Sequence, residues 1–152
     1  MQKSRASCSC GHVTFEIGSA PLFRMLCHCT ICQRFNDAPF ADIVIYDATS
    51  ITGPKPGSVR YDTYKPPPNV QRGVCTECGK PAIEQFKLPW FADLTMIPAS
   101  VHVDQTSLPE PMAHVFYHRR VEDADDALPK YNGFLSSQLA FGKYLLAAKR
   151  GK

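Results

Sequence analysis

Cys27-His28-Cys29-Thr30-Ile31-Cys32 places three cysteines within six residues. At spacings of two and three residues in a single loop, the three sulfurs can point at a common centre. Three thiolates leave one corner of a tetrahedral zinc site for water or a substrate atom, which is typical of catalytic zinc. The alternative is a second structural site whose fourth ligand is a histidine or a water. This stretch therefore predicts a metal-binding loop, and its three ligands favour the catalytic alternative.

The remaining four cysteines form two further pairs, Cys8-Ser9-Cys10 and Cys75-Thr76-Glu77-Cys78. Four thiolates close a tetrahedron, which describes a structural zinc. Gly79 follows the second pair and allows the tight turn of a zinc knuckle. The seven cysteines thus divide into four and three with none left over, and we predict two zinc ions per chain.

Cysteine usage also indicates a compartment. No apolar segment follows the basic start of the chain, which argues against a secretory signal. Disulfides are rare in reducing compartments, and an odd number of cysteines fits a disulfide framework poorly. We therefore expect metal ligands rather than disulfides, and a cytoplasmic protein. No apolar run approaches the roughly 18 residues of a membrane span, so no membrane partner is expected.

The charge pattern gives little support for nucleic-acid binding. The formal net charge is +3, and seven thiolates with two zinc ions would lower it to near neutral. Arg119-Arg120 and Lys149-Arg150 are the only adjacent basic pairs, whereas a nucleic-acid protein is expected to carry a basic stripe. We expect a small-molecule partner and no nucleic acid.

Period-two alternation and β-forming residues predict a mainly β protein. Strands are predicted over 12–17, 22–26, 40–46, 59–64, 70–74, 82–86, 90–97 and 112–118. One helical turn is predicted over 30–36, ended by Asn36-Asp37, with a turn over 52–57 and a polyproline linker at Pro66-Pro67-Pro68. The Leu- and Ala-rich end predicts a short C-terminal helix over 134–149. We expect a single domain over residues 1–152.

Several side chains are candidates for a pocket beside the metal loop. Gln33, Arg34 and Asn36 directly follow the loop, and Phe40 comes soon after. Trp90 and Phe91 could also wall a pocket, although packing in the core is the favoured interpretation for all three aromatic residues.

The histidines have weaker assignments. His28 lies between two proposed ligands, so it is either a general base or, as we favour, a residue that stabilises the loop. His102, His114 and His118 fall in strand-like segments, and we expect them to be exposed or hydrogen-bonded rather than metal ligands.

Three segments carry a resemblance to a known family. They are Cys8-Ser9-Cys10-Gly11-His12-Val13, Cys27-His28-Cys29-Thr30-Ile31-Cys32-Gln33 and Cys75-Thr76-Glu77-Cys78-Gly79. Their order and spacing resemble the glutathione-dependent formaldehyde-activating enzyme (Gfa) family, which includes centromere-protein-V-like proteins. The later segments 101–104, 111–115 and 128–131 are also similar, so the resemblance covers about residues 6 to 131. Val74, where an aromatic residue is common, and the C-terminal helix depart from the family pattern.

The resemblance implies a fold, two metals and an activity. The fold is Mss4-like, with folded-over β-sheets and zinc-clipped turns. A structural zinc would bind Cys8, Cys10, Cys75 and Cys78, and a second zinc would bind Cys27, Cys29 and Cys32. The activity is addition of glutathione to formaldehyde, a carbon–sulfur lyase reaction written in reverse. Arg34 would then either pair with a glutathione carboxylate or be a surface residue.

A zinc held by three thiolates can keep a substrate thiol ionised or polarise a carbonyl oxygen. The sequence therefore predicts a zinc-dependent enzyme that acts on a small thiol–aldehyde adduct, with glutathione plus formaldehyde the simplest case. Two alternatives stay open. The scaffold could serve another small-molecule lyase or isomerase reaction without glutathione, or it could be a non-catalytic zinc module that binds a protein or nucleic acid.

Overall fold

The computed structural model describes residues 3–65 and 70–151. Strands in two sheets dominate, and a helix ends the described chain, so the predicted mainly β class is confirmed. The strands are β1 (Ser4–Ser7), β2 (Thr14–Ile17), β3 (Phe23–Cys27), β4 (Ala41–Asp47), β5 (Ile51–Thr52), β6 (Val59–Asp62), β7 (Val70–Cys75), β8 (Pro81–Leu88), β9 (Ala92–Pro98) and β10 (His114–Val115). The helices are α1 (Thr30–Asn36) and α2 (Phe134–Arg150). The predicted polyproline linker lies outside the described residues.

The chain divides into two compact units, and each contains two separate stretches of sequence. The first unit comprises Met1–Pro21 and Val44–Leu108, and the second comprises Leu22–Ile43 and Pro109–Lys152. Each proposed metal site falls within one unit. The expectation of a single domain stays a prediction.

The first unit is built from antiparallel strands. β1, β2 and β5 form a small sheet in which Ala6 lies opposite Phe15, and β6 to β9 pair in sequence order. The pairing register of β7 with β8 shifts between Gly73 and Val74, just before Cys75. Apolar side chains from both sets of strands form one buried cluster, which also contains Cys8 and Cys75. The cluster thus fixes the backbone that carries two of the cysteines.

The second unit contains a parallel strand pair and both helices. β10 pairs with β3, so that His114 lies opposite Leu26 and Val115 opposite Cys27. On α2, the ring of Phe141 packs edge-on against Phe23 of β3 at a centroid distance of 5.4 Å. This contact holds the C-terminal helix against the strand that ends at the cysteine loop.

Both predicted helices form. α1 spans the predicted residues 30–36, and Asp37 ends it in the left-handed conformation, with its N–H directed at the carbonyl oxygens of Arg34 and Gln33. α2 runs one residue beyond the predicted 134–149. Among the described residues, no helix combines the length and apolar character needed to cross a membrane.

Some strand predictions were wrong at their ends. β1 was missed, since its sequence Ser-Arg-Ala-Ser has no apolar alternation. The predicted strand 112–118 is reduced to His114–Val115, because Phe116 takes a left-handed conformation and a 3-10 turn follows it. The predicted turn over 52–57 begins one residue later, since Thr52 belongs to β5.

The prediction that Phe40, Trp90 and Phe91 pack in the core was also wrong. Trp90 is fully exposed, in a left-handed turn that precedes β9, and Phe91 is 52% exposed. The predicted strand 90–97 therefore starts at Ala92, where the hairpin with β8 begins. Phe40 is 39% exposed and lies beside a cavity.

Candidate metal centres and the adjoining cavity

Two turns bring the four-cysteine set together. Cys8 and Cys10 follow β1, Cys75 ends β7, and Cys78 lies in the turn after it. Backbone amides point at the sulfurs, because Val13 N donates to Cys8 Sγ at 3.2 Å and Cys78 N approaches Cys75 Sγ at 3.5 Å. Gly11 and Gly79 close the two turns with φ of +77° and +70°, a conformation that favours glycine.

The sulfur spacing of this set suits a tetrahedral metal. Cys8 Sγ lies 3.2 Å from Cys10 Sγ and 3.7 Å from Cys75 Sγ, and all four sulfurs lie within 4.8 Å of one another. Zinc–sulfur bonds of about 2.3 Å in a tetrahedron place sulfurs about 3.8 Å apart. Burial opposes ionisation of Cys8, but the hydrogen bonds from the Val13 amide and neighbouring thiols outweigh it and lower its pKa to about 6. The donor set therefore fits a structural zinc.

The end of a strand and the start of a helix form the three-cysteine set. Cys27 is the last residue of β3, and Cys32 lies in the first turn of α1. Cys29 is the N-cap of that helix, where its sulfur accepts a hydrogen bond from Cys32 N at 3.3 Å. The sequence places a sulfur at a position where serine or threonine oxygen usually acts. Capping thus holds the Cys29 sulfur against the backbone of Cys32.

These three sulfurs also fit a metal. They lie within 4.8 Å of one another, and no histidine nitrogen or carboxylate oxygen of the described residues joins them within that limit. Hydrogen bonding to Cys29, together with burial, raises the pKa of Cys27, and hydrogen bonding to Cys27 raises that of Cys32. Crowded buried thiols resist ionisation, whereas a bound cation deprotonates coordinating thiols. The set offers three protein ligands.

Three of the four predicted substrate residues have structural hydrogen bonds or face solvent. The Gln33 amide nitrogen donates to the carbonyl oxygens of His28 at 2.7 Å and Arg119 at 2.8 Å. Asn36 Nδ2 donates to the Cys32 carbonyl oxygen at 2.8 Å, within the helix. Arg34 is exposed. Gln33 and Asn36 therefore brace the loop, and a substrate role for these three residues stays a prediction.

Phe40 is the predicted substrate residue that lines a cavity. This cavity has a volume of about 130 Å³ and is lined by His28, Pro39, Phe40 and the segment 121–124. The rings of Phe40 and His28 lie 5.2 Å apart, so His28 connects the cavity with the cysteine loop. The volume suits a few non-hydrogen atoms, because a water occupies about 30 Å³ in the liquid.

Three titratable side chains, those of His28, His114 and Asp126, form a hydrogen-bonded chain. His28 Nε2 lies 2.8 Å from His114 Nδ1, and His114 Nε2 lies 2.8 Å from Asp126 Oδ2. Lys130 Nζ lies 2.9 Å from the other carboxylate oxygen of Asp126. Hydrogen bonds with Lys130, and then with His114, lower the pKa of Asp126, while burial, and then the electrostatic influence of His114, lower the pKa of His28 to about 4.

Sequence reasoning missed this chain. The hydrogen bonds of His114, and those of His102 with Tyr46 Oη and of His118 with Gly133 N, agree with the expectation of hydrogen-bonded histidines. The link between His28 and His114 depends on the parallel pairing of β3 with β10, across 86 residues of sequence. A prediction of strand pairing would have been the signal for it.

Comparison with known families identifies the chain. The model of the glutathione-dependent formaldehyde-activating enzyme family matches residues 3–119, and the chain therefore belongs to this family, which is associated with enzymes. The expected family resemblance is thus confirmed, and both cysteine sets and the cavity-lining His28 lie within the matched residues.

A solved structure supports the fold. The chain is similar to a Rhodobacter sphaeroides protein of known crystal structure, with a TM-score of 0.53 and 16% sequence identity. The similarity covers 70% of this chain and 96% of that one, and at this identity it concerns the fold alone. The comparison with curated proteins found no match.

Proposed function

We propose that this protein is a zinc-dependent enzyme of the carbon–sulfur lyase type, acting on a small thiol–aldehyde adduct in the cytoplasm. Glutathione plus formaldehyde is the simplest pair of products. One observation carries the proposal: Cys27, Cys29 and Cys32 bring three sulfurs within 4.8 Å of one another, in a loop whose His28 lines a cavity together with Phe40. The other four cysteines form a separate four-sulfur set, so none of them completes the three-cysteine set. A tetrahedral zinc bound by three cysteines would have its fourth position open to a substrate atom.

The two cysteine sets would have different roles. Cys8, Cys10, Cys75 and Cys78 would hold a structural zinc, and the three-cysteine set would hold the second ion. When bound there, zinc would act as a Lewis acid that favours the thiolate form of a substrate thiol. The N-cap hydrogen bond of Cys29 and the carbonyl contacts of Gln33 would keep the loop in shape while a substrate enters or leaves.

The cavity suits the reacting end of such an adduct. A volume of about 130 Å³ accommodates a hydroxymethyl group and its sulfur, but not a whole tripeptide. The ring of Phe40 would cover the group from one side and exclude water, and His28 would face it from another. The rest of a glutathione molecule would then lie along the surface, where exposed Arg34 could pair with a carboxylate.

Exchange kinetics test the proposal directly. Glutathione and isotope-labelled formaldehyde also combine reversibly without a catalyst, and NMR exchange spectroscopy measures how fast label moves between free and bound forms. Zinc-loaded wild-type protein should accelerate exchange, and Cys29→Ser should return it to the uncatalysed rate. Glu77→Gln, an exposed change between two cysteines of the other set, is the control and should keep full activity.

The alternatives give different results in the same experiment. A lyase or isomerase that does not use glutathione would leave exchange unaffected, although another small thiol or carbonyl compound would raise the melting temperature. A zinc module that binds a macromolecule would show neither effect. Absence of acceleration by protein shown to carry two zinc ions would exclude glutathione plus formaldehyde as the reactants.

A further inference from the structure

The helix α2 has two apolar faces, and only one of them is covered. On the covered face, Phe141 packs edge-on against Phe23 of β3, with 5.4 Å between the ring centroids. Three leucines of the same helix, Leu135, Leu139 and Leu146, are exposed, with exposed fractions of 69%, 65% and 44%. Single apolar side chains on a surface are ordinary, whereas a group of them on one helix indicates a binding surface.

Helical spacing aligns the three leucines in one row, which we call the leucine row. At 3.6 residues per turn, Leu135, Leu139 and Leu146 lie within about 40° of one another around the helix axis. Phe141 lies about 140° away from the middle of the row, so the leucines point away from β3. A methyl group on Gly142 would meet nothing within 4 Å among the described residues. The middle of the leucine row is therefore uncovered.

Basic residues flank the leucine row. The helix α2 contains Lys143, Lys149 and Arg150 and no acidic residue, and no Asp or Glu follows Asp126 in the sequence. Lys143 and Arg150 are exposed on one side of the row, and Lys149 lies on the other side. Such side chains can lay their methylene stems along apolar surface while the charged ends stay in water. The surface of α2 therefore complements a partner that is anionic outside and apolar beneath.

The packing of α2 on β3 limits the shape of that partner. A binding groove surrounds much of an amphipathic helix, but here only the outward leucine row and its flanks are accessible. A second copy of α2 would place three basic residues against three others, and like charges repel. A flat anionic bilayer meets both conditions, because an amphipathic helix lies in its interface with leucines inward and basic residues at the headgroups.

We propose that the leucine row of α2 docks on the surface of an anionic phospholipid bilayer, with its leucines in the interface and the flanking basic residues at the lipid phosphates. A helix that lies on a bilayer needs an apolar face with basic flanks and no long apolar run. The proposal thus departs from the expectation of no membrane partner, which rested on the lack of such a run. It is independent of the proposed reaction.

Sedimentation with lipid vesicles tests the proposal on zinc-loaded, full-length protein. Wild type should sediment with vesicles of phosphatidylcholine and phosphatidylglycerol in equal parts, and far less with vesicles of phosphatidylcholine alone. Binding to the anionic vesicles should weaken as salt is added, because salt screens the attraction between exposed charges. Equal sedimentation with both kinds of vesicle, or with neither, overturns the proposal, and this comparison needs no variant.

Leu139→Glu tests the leucine row itself. It removes an apolar group and adds a negative charge, so partition onto anionic vesicles should fall tenfold or more. Glutamate is a good helix former, so the melting temperature should stay near that of wild type. Val103→Glu makes the same kind of change at a residue that is 67% exposed outside α2, and it should bind as wild type does. Unchanged binding of Leu139→Glu overturns the role of the row.

Arg150→Gln tests the basic flank. Loss of one basic residue near an anionic surface should weaken binding about fivefold. Lys55→Gln removes the same charge from an exposed residue outside α2 and should have no effect. Equal weakening by both variants would mean that net charge alone attracts the protein, which overturns docking through α2. Light scattering without vesicles completes the test, because a dimer that Leu139→Glu dissociates would show that a second copy covers the row and would overturn the bilayer as its partner.

Discussion

The two cysteine sets differ in how far apart their members lie in the sequence. The four-cysteine set joins Cys8 and Cys10 to a pair more than 60 residues later, and Cys8 and Cys75 are buried in one apolar cluster. The three-cysteine set lies within six residues and has its own helix cap. A metal in the first set would close a long loop, whereas one in the second would close a very short one. The comparison predicts that stability depends mainly on the first set and activity on the second.

The largest expected effect on stability is that of Cys78→Ser. Losing the structural zinc removes binding energy that is coupled to folding, so we expect a loss of about 3 kcal/mol or more. At this chain length the melting temperature should fall by about 6 to 12 °C or more. Thermal melts with metal analysis measure both effects, and Glu77→Gln is the control. An unchanged melting temperature after zinc loss would contradict the structural role.

Gly73→Ala tests how tightly the backbone of β7, which ends at Cys75, is packed. A methyl group on Gly73 would lie 2.5 Å from Val59 Cγ1 and 2.8 Å from the Ile83 carbonyl oxygen, so neighbouring strands would have to shift. We expect a loss of about 2 kcal/mol, within the usual range for overpacking. Gly53→Ala in the same unit meets nothing within 4 Å and is the control. A neutral Gly73→Ala in denaturant unfolding would show that the strands adjust freely.

Cys29→Ser should have a much smaller effect on stability. Serine is a good N-cap and can still accept from Cys32 N, so α1 should keep its start. We expect a loss of about 1 kcal/mol, together with loss of one of two zinc ions and of activity. Unfolding curves and metal content check this. A destabilisation equal to that of Cys78→Ser would mean that both sets are structural.

The sequence was most informative where structure depends on neighbouring residues. Residue spacing predicted the two cysteine sets. Local signals predicted α1, with its end at Asp37, and helix propensity predicted α2. The ligand roles of the cysteines stay predictions. The predicted ends of the strands were less accurate, because a strand ends where its partner strand stops pairing with it.

The exposure of side chains and the contacts between distant residues could not be predicted from local sequence in the same way. Trp90 looks like a core residue by type, yet its left-handed turn projects it into solvent. The alignment of His28 with His114 and Asp126 depends on which strands pair. Such pairing is a property of the folded chain and leaves no periodic mark in the sequence.

The smallest effect is expected in the second unit, where Gly142 lies in the middle of α2. A methyl group there meets nothing within 4 Å, in contrast to Gly73. Alanine also restricts the unfolded chain and favours the helix, so Gly142→Ala should stabilise by about 0.5 to 1 kcal/mol. The melting temperature should rise by about 1 to 4 °C. Gly133→Ala, at the N-cap of the same helix with φ of +87°, should lower it instead, because alanine is strained in that conformation. If both substitutions lower the melting temperature, the space around Gly142 is not free to hold a methyl group. The contrast between the tight packing around Gly73 in β7 and the open space around Gly142 in α2 would then be wrong.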